Sequence, residues 1–371
     1  MAFTAESKNM IDIIIACYQV PVILLRRCLE SLKAQSYQNF RVILVDDGSD
    51  QALLSQYRDL HYQFLTIFYQ KHKGVSAARN LALSKSTGDF VAFVDGDDTV
   101  AQTFLADAVS LQKCTGADVV CGGITWKYKN GEIASHPCFP LGEYRVYDES
   151  ERSFLIHYLL SDKADEEHKE LLGFSSGSCS GKLIRGNIAR RAQFIDKVAY
   201  REDRFFNIRC IQIAKRIVIV NRQWYIYYQY VSSAVHGINH DFHDAFAPSM
   251  HFLRSLYEAD QSLLPEVTWT RRDIMERMLF SDLLARDRKR SLSDQIRLLS
   301  SFFTGEDFSE LLSLCSYLKE DRTGNVMDAL CVRRQYALIC LLIKCYLMFQ
   351  MDQRVPDGDG YQLYSKDVQN I

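Results

Sequence analysis

The stretch FVAFVDGDDTV, Phe90–Val100, sets three carboxylates, Asp95, Asp97 and Asp98, directly behind an apolar run. Carboxylates that close repel one another unless a cation, a helix terminus or water compensates. Gly96 lets the backbone bend closely past a ligand. Asp95 and Asp97 can then converge on a hard divalent cation such as Mg²⁺ or Mn²⁺, which takes oxygen ligands and often completes its shell with substrate phosphates. The same residues also suit a plain turn, with an Asp capping the next helix.

Other residues of chemical interest stand at regular intervals. VDDGS brings Asp46, Asp47, Gly48 and Ser49 to the end of a second apolar run, and Ala16, Cys17 and Tyr18 end the first. DDGS also reads as a turn and helix cap. Arg79 lies in GVSAARN, either as a surface helix arginine or as a cation facing a ligand. Glu202 and Asp203 open the helical run DRFFNIRCIQIAK. Acidic residues there complement a helix dipole, and a carboxylate there can also serve as a general base.

The elements that must position these groups alternate. IDIIIAC (Ile11–Cys17), FRVILVD, FLTIFYQ, DFVAFV and ADVVCGG read as strands. VILLRRCLESLKAQ, QALLSQYRDL, GVSAARNLALSKSTG and TFLADAVSLQKC between them read as helices. That rhythm predicts βαβ units and an α/β fold with a mostly parallel sheet, in which ligands bind outside the carboxyl ends of the strands. Asn130-Gly131 signals a hairpin. Residues 140–235 mix short helices and strands. From about residue 240 the pattern is helical, so a boundary falls within GINHD and divides 1–238 from a helical 239–371.

Composition narrows the function classes. With 44 Lys and Arg against 46 Asp and Glu, no basic field points to nucleic acid. Eleven cysteines, an odd number without a CxxC pair, read as small core hydrophobes in a reducing cytoplasm, and MAFTAESKNM lacks a signal-peptide pattern. Tyr336–Phe349, YALICLLIKCYLMF, is broken by Lys344. It falls short of the ~18 apolar residues of a spanning helix. It reads as a buried helix or as an interfacial one, with Arg333 and Arg334 near anionic headgroups.

Taken in order, the tyrosine past the first strand, VDDGS, KGVSAARN, FVDGDD, SGKLIR and YREDRFF resemble a family 2 glycosyltransferase of the kind that builds bacterial surface polysaccharides and glycoconjugates. The resemblance is strong over residues 10–125 and does not reach the helical region. It implies a GT-A fold and inverting transfer of a hexose or N-acetylhexosamine from a UDP-sugar. The acceptor would be a hydroxyl on a glycan, lipid-linked or protein-linked saccharide, and the cofactor Mn²⁺ or Mg²⁺. By the same resemblance, Ala16 and Tyr18 line the base pocket and Asp47 accepts from the pyrimidine N3–H. Arg79 faces the nucleotide-sugar, Asp95 and Gly96 border the ribose and metal, Asp97 is the main metal ligand, and Asp203 of the Glu202-Asp203 pair is the base. Asp98 caps the next helix or supports the metal ligands. Lys182 is a candidate to approach the acceptor or donor and His236 the diphosphate, and each reads equally well as a surface or packing residue.

Two departures bear on donor choice. Ala16 and Gln19 in ACYQV replace the usual Pro and Asn, and Lys73 stands where Asn is common. Two other readings stay open. A nucleotidyltransferase would want a Gly-rich phosphate loop that ACYQVPVILLRR lacks. A non-catalytic glycan- or partner-binding subunit would be expected to have lost Asp47, Asp97 or Asp203. Self-association and peripheral contact with the inner face of a membrane are both compatible with this reading.

Overall fold

Ile11–Cys17 (β1) is buried along its whole length apart from a partial opening at Ala16, as a strand covered on both faces must be. In the computed structural model, which describes residues 9–128, 132–135, 140–161, 177–198, 200–229, 242–277 and a few between 291 and 300, β1 lies between two parallel neighbours. Phe40–Asp46 (β2) pairs along one edge from Ile11↔Phe40 to Cys17↔Asp46. Phe90–Phe93 (β4) pairs along the other. Leu65–Tyr69 (β3) continues outward from β2, again parallel. The chain therefore builds to one side of β1 and then crosses back to β4. This reversal of strand order opens a crevice at the carboxyl ends of β1 and β4.

Beyond β4 the sheet becomes mixed. Lys182–Arg185 (β9) inserts antiparallel between β4 and Val119–Lys127 (β6). Ile217–Tyr228 (β10) lies parallel to β6 and pairs antiparallel with Thr99–Val100 (β5) and Tyr144–Tyr147 (β8). Because β9 runs against both its neighbours, β3, β2, β1, β4, β6 and β10 all point the same way. Ile133–Ser135 (β7) returns along β6, as a hairpin requires, although Asn130 and Gly131 lie outside the described residues.

Helices cover both faces. Val22–Lys33 (α1) turns Leu25, Leu29 and Leu32 onto Ile11, Ile13 and Ile15, in a core shared with Phe104 and Leu105 of Phe104–Thr115 (α4). Each such side chain contributes about 1.5–3 kcal/mol on burial. Val75–Lys85 (α3) presents Ala78 and Ala82 inward, and their small size lets its axis approach β1 and β2. Gln51–Arg58 (α2) has its first turn capped by Asp50, whose side chain accepts from the Leu53 N–H.

Two features were not expected from the sequence. β5 is a two-residue strand immediately after the Asp95–Asp98 cluster. Asp12 sits fully buried inside β1, where it accepts from Arg41, Ser86, Thr87 and Gly88.

The chain divides into two compact units, residues 1–236 and 237–371. In the second, Phe242–Ala259 (α8) and Leu264–Arg277 (α9) pack on each other through buried Met250, Leu253, Leu256, Val267 and Ile274. These two helices agree with the helical reading. Tyr336–Phe349 falls outside the described residues. Among the described residues no helix is long and apolar enough to cross a membrane. Among the described residues Cys17, Cys28, Cys121, Cys179 and Cys210 are free thiols in buried positions, as small core hydrophobes would be, whereas Cys114 is free and exposed.

Candidate functional site

The chemistry-bearing residues gather at the carboxyl edge of the sheet. Asp47 follows β2 and Asp95 follows β4, with β1 between them, so strand spacing alone separates the two by about 10 Å. The loops after β1 and β2 are tied together. The Asp47 N–H donates to the Cys17 carbonyl at 2.8 Å, and the Gln19 N–H to Ser49 Oγ at 2.9 Å.

Arg79 joins the most distant parts. Buried on α3, it donates to Asp95 Oδ1 at 3.0 Å and to Asp203 Oδ1 at 2.5 Å, with Glu202 Oε1 at 3.7 Å. Asp203 lies in the first turn of Glu202–Ile213 (α7). That helix is seated by an aromatic cluster: Phe206 stacks on Phe194 at 4.1 Å, and Phe93 meets both edge-on. Asn80, next to Arg79, fixes Phe194 through reciprocal bonds of 2.9 and 2.8 Å with its backbone. The second Asp203 oxygen, Oδ2, accepts from the Cys179 N–H at 3.1 Å.

The Asp95, Asp97 and Asp98 carboxylates occupy three different environments. Asp98 is buried and held by β10: the Tyr225 hydroxyl donates to its Oδ2 at 2.6 Å, and the Tyr228 N–H to its Oδ1 at 2.9 Å. Burial, and next the charge of Asp95, push its carboxyl up to about 8. Asp98 is thus an anchor for β10. Asp95 is half-exposed and shared between Arg79 and Tyr225, whose hydroxyl also accepts from the Asp95 N–H at 3.1 Å. Asp97 is half-buried, and burial together with the charge of Asp95 raises its carboxyl above the ordinary range. An added cation would relieve that environment. Gly96 answers to a protein neighbour: a Cβ there would meet Cys17 Sγ at 2.8 Å.

Among the described residues no group of three or more His, Cys, Asp or Glu side chains converges as a ready metal cage. The donors instead fit a cation held by one or two carboxylates, with the remaining ligands supplied by phosphate and water.

Asp47 was expected to await a pyrimidine N–H. Its buried carboxylate is already supplied by the chain: Gln70 Nε2 and the Lys73 N–H reach Oδ1 at 2.6 and 2.8 Å, and the Gly74 N–H reaches Oδ2 at 2.8 Å. His72 Nδ1 lies 2.9 Å from Oδ2, and the imidazole stacks on Tyr18 with centroids 4.0 Å apart. A carboxylate offers about four lone-pair positions, so a base reaching Asp47 has to displace a donor. The His72 side chain, 54% exposed, is the one that can leave most readily. Gly48, at φ 84°, lets the His72 backbone come close, since a Cβ there would meet the His72 backbone nitrogen at 2.6 Å. Ala16 and Tyr18 lie beside this point, the first partly buried and the second exposed.

Lys182 does not reach an open surface. It is buried, and its Nζ donates to the Ser178 carbonyl at 2.5 Å. His236 lies outside the described residues. Sequence reasoning missed Tyr225 and Tyr228; the only local signal was the aromatic density of WYIYYQY. A separate cavity of about 540 Å³ lies at the amino ends of β6 and β10, lined by Asp118, Lys215 and Arg216 among others. Asp118 there is engaged by Arg185 at 2.7 Å and by the Lys215 N–H at 2.8 Å.

Comparisons with known proteins agree with this architecture. Residues 12–168 match the family described as glycosyl transferase family 2. The glycosyltransferase GlyA of Streptococcus pneumoniae is 27% identical over 236 residues, which is 59% of this chain and 30% of that protein. A cholesterol galactosyltransferase of Borreliella burgdorferi is 26% identical over 213 residues, 55% of this chain and 56% of that one. The chain therefore spans about a third to a little over half of these relatives' own lengths. The crystal structure of S. aureus TarS 1-349 in complex with UDP-GlcNAc superposes with a TM-score of 0.61 at 18% identity, covering 94% of this chain and 95% of that one. That likeness shows the fold.

Proposed function

We propose that the chain, whose residues 12–168 match glycosyl transferase family 2, transfers a hexose or N-acetylhexosamine, with inversion, from a UDP-sugar to an acceptor hydroxyl in bacterial glycoconjugate assembly. The observation that carries this reading is the Arg79 bridge. It brings Asp203, on a helix far along the chain, to the carboxylates at the end of β4. An inverting transfer needs that juxtaposition: donor-side carboxylates and one acceptor-side base around a single carbon. A solved structure of the same fold contains UDP-GlcNAc, which supports a UDP-sugar as donor.

In this mechanism the nucleotide lies across the carboxyl ends of β2, β1 and β4. Its base packs on Tyr18 beside Ala16 and reaches Asp47 as His72 withdraws. Asp97, with Asp95 beside it, would hold Mn²⁺ or Mg²⁺, which would supply positive charge to offset that of the diphosphate. Asp203 accepts the proton of the acceptor hydroxyl as its oxygen forms the new bond to the anomeric carbon. The bond from that carbon to the phosphate oxygen breaks, and UDP leaves from the opposite face. Arg79 orients Asp203 and screens it from Asp95.

UDP release measured with Mn²⁺ across a panel of UDP-sugars tests the reading. One donor is expected to give turnover, and Asp203→Asn to lower it by about 10²–10⁴-fold, the contribution of a general base, while UDP still raises the melting temperature. Full transfer by Asp203→Asn would remove the base assignment. No thermal shift with any UDP-sugar would remove the donor class.

A further inference from the structure

The sequence motif SGKLIR leaves a buried lysine, Lys182, that the mechanism above does not use. We propose that Lys182 is a positioning residue for Asp203, acting through the Ser178–Cys179 peptide bond. The inference rests on the reading of Asp203 as the base.

One peptide unit connects the two side chains. Its carbonyl, on Ser178, accepts from Lys182 Nζ at 2.5 Å and from Asn207 Nδ2 at 2.9 Å. Its N–H, on Cys179, donates to Asp203 Oδ2 at 3.1 Å. A cationic donor on the carbonyl and an anionic acceptor on the N–H polarise the peptide in the same sense, so each bond strengthens the other. Both flanks are rigid. β9, which carries Lys182, is hydrogen-bonded between β4 and β6. Asn207 stands one helical turn after Asp203 on the same face of α7, and it also takes the Gly177 carbonyl at 3.2 Å.

The geometry explains why a lysine is buried here, 2% exposed, at the cost of desolvating its charge. Burial accordingly lowers its pKa. Arg79 controls Asp203 Oδ1, and the Lys182-held peptide controls Oδ2. With both oxygens fixed, the carboxylate plane is set and one direction of approach is left for the acceptor proton. Without Lys182 the Ser178–Cys179 peptide keeps, among the described residues, Asn207 alone on its carbonyl side, and its N–H is free to turn away from Asp203.

The test is a kinetic comparison of Lys182→Met, Lys182→Gln and Asp203→Asn, singly and in the double variant Lys182→Met/Asp203→Asn. Lys182→Met is expected to lower kcat by roughly ten- to hundredfold, the loss a displaced reacting group produces. Its KM for the UDP-sugar should stay within about twofold, and its thermal shift with UDP should be retained, because the donor pocket is untouched. In the Asp203→Asn background, Lys182→Met should cost nothing further, since residues that act as one unit are not additive. Should the methionine variant fail to fold, Lys182→Gln, which keeps an amide donor without the charge, is read by the same criteria. The proposal is overturned if the folded Lys182 variants keep the parent kcat, or if the loss multiplies with that of Asp203→Asn. It also falls if Asp203→Asn itself retains full transfer. That result strikes the base assignment directly, whereas a strongly impaired Asp203→Asn beside a fully active Lys182→Met sinks the lysine alone.

Discussion

Arg79 and Asp203 are 124 positions apart in the chain and 2.5 Å apart in the fold, and the same guanidinium holds Asp95 at 3.0 Å. This buried cation is what makes a cluster of Asp95, Glu202 and Asp203 tolerable. Its planar fork spans two carboxylates at once, which a lysine ammonium, a point charge, does not.

Removing Arg79 is therefore expected to cost both stability and activity. Arg79→Met leaves three carboxylates in mutual repulsion. Losing one partner of a buried pair is severe, but the acids here are partly exposed, so we expect a loss of about 2–4 kcal/mol in urea unfolding. Arg79→Lys should recover part of the stability and little of the kcat. Wild-type turnover in Arg79→Lys would show that the bridge is structural only.

Asp97 carries a separate prediction. Its carboxyl is pushed up by burial and by Asp95, and a divalent cation would reverse that effect. Asp97→Ala should abolish the thermal shift that Mn²⁺ gives together with UDP and lower UDP release at least a hundredfold, on the order of losing a metal's charge stabilisation. Chelation of the wild type should match the variant. Turnover that survives both treatments unchanged would sink the metal assignment.

Much of the frame was legible because it is local. IDIIIAC, FRVILVD and the helix of VSAARNLALSK follow from apolar runs and periodicity, and the structure places them at Ile11–Cys17, Phe40–Asp46 and Val75–Lys85. Partnerships across the chain were not legible. Asp98 bonds Tyr225, 127 positions on, through the pairing of β5 with β10, which no local pattern encodes. For the same reason Arg79 read as a ligand-facing cation, whereas the fold first gives it Asp95 and Asp203. Asp47 shows a third case. Its donors, Gln70, Lys73 and Gly74, stand together in QKHKG, but only the parallel pairing of β2 with β3 delivers them.

Asp12 allows a test of the frame by pH. Burial alone would raise its carboxyl. Hydrogen bonds from Arg41, the Gly88 N–H and Ser86, with the Arg41 charge, outweigh burial and hold it below the ordinary value. A folded-state pKa below the unfolded one contributes stability that is present above the unfolded pKa and lost as pH falls through the folded one. Asp12→Asn should therefore be less stable than wild type at pH 7, by about 2–3 kcal/mol for a lost charged hydrogen-bond set. The gap should narrow as pH drops below about 4. A gap that stays constant in urea titrations from neutral to acid pH would show that the contribution of Asp12 is steric.

Tyr225 joins stability to the site. Its single hydroxyl donates to Asp98 and accepts from the Asp95 N–H, so it ties the end of β4 to β10. Tyr225→Phe preserves the buried ring and removes only that tie. Asp98 then keeps the Tyr228 N–H and loses its other donor, a change worth about 1–3 kcal/mol when an acceptor is left buried. The Asp95 backbone, no longer fixed at its N–H, should also let Asp97 drift, weakening the Mn²⁺-dependent thermal shift by UDP while leaving the fold intact by circular dichroism. Both effects belong to one oxygen atom. A variant destabilised to this extent but with unaltered Mn²⁺ dependence would separate the anchor from the cation site and confine Tyr225 to holding β10 in place.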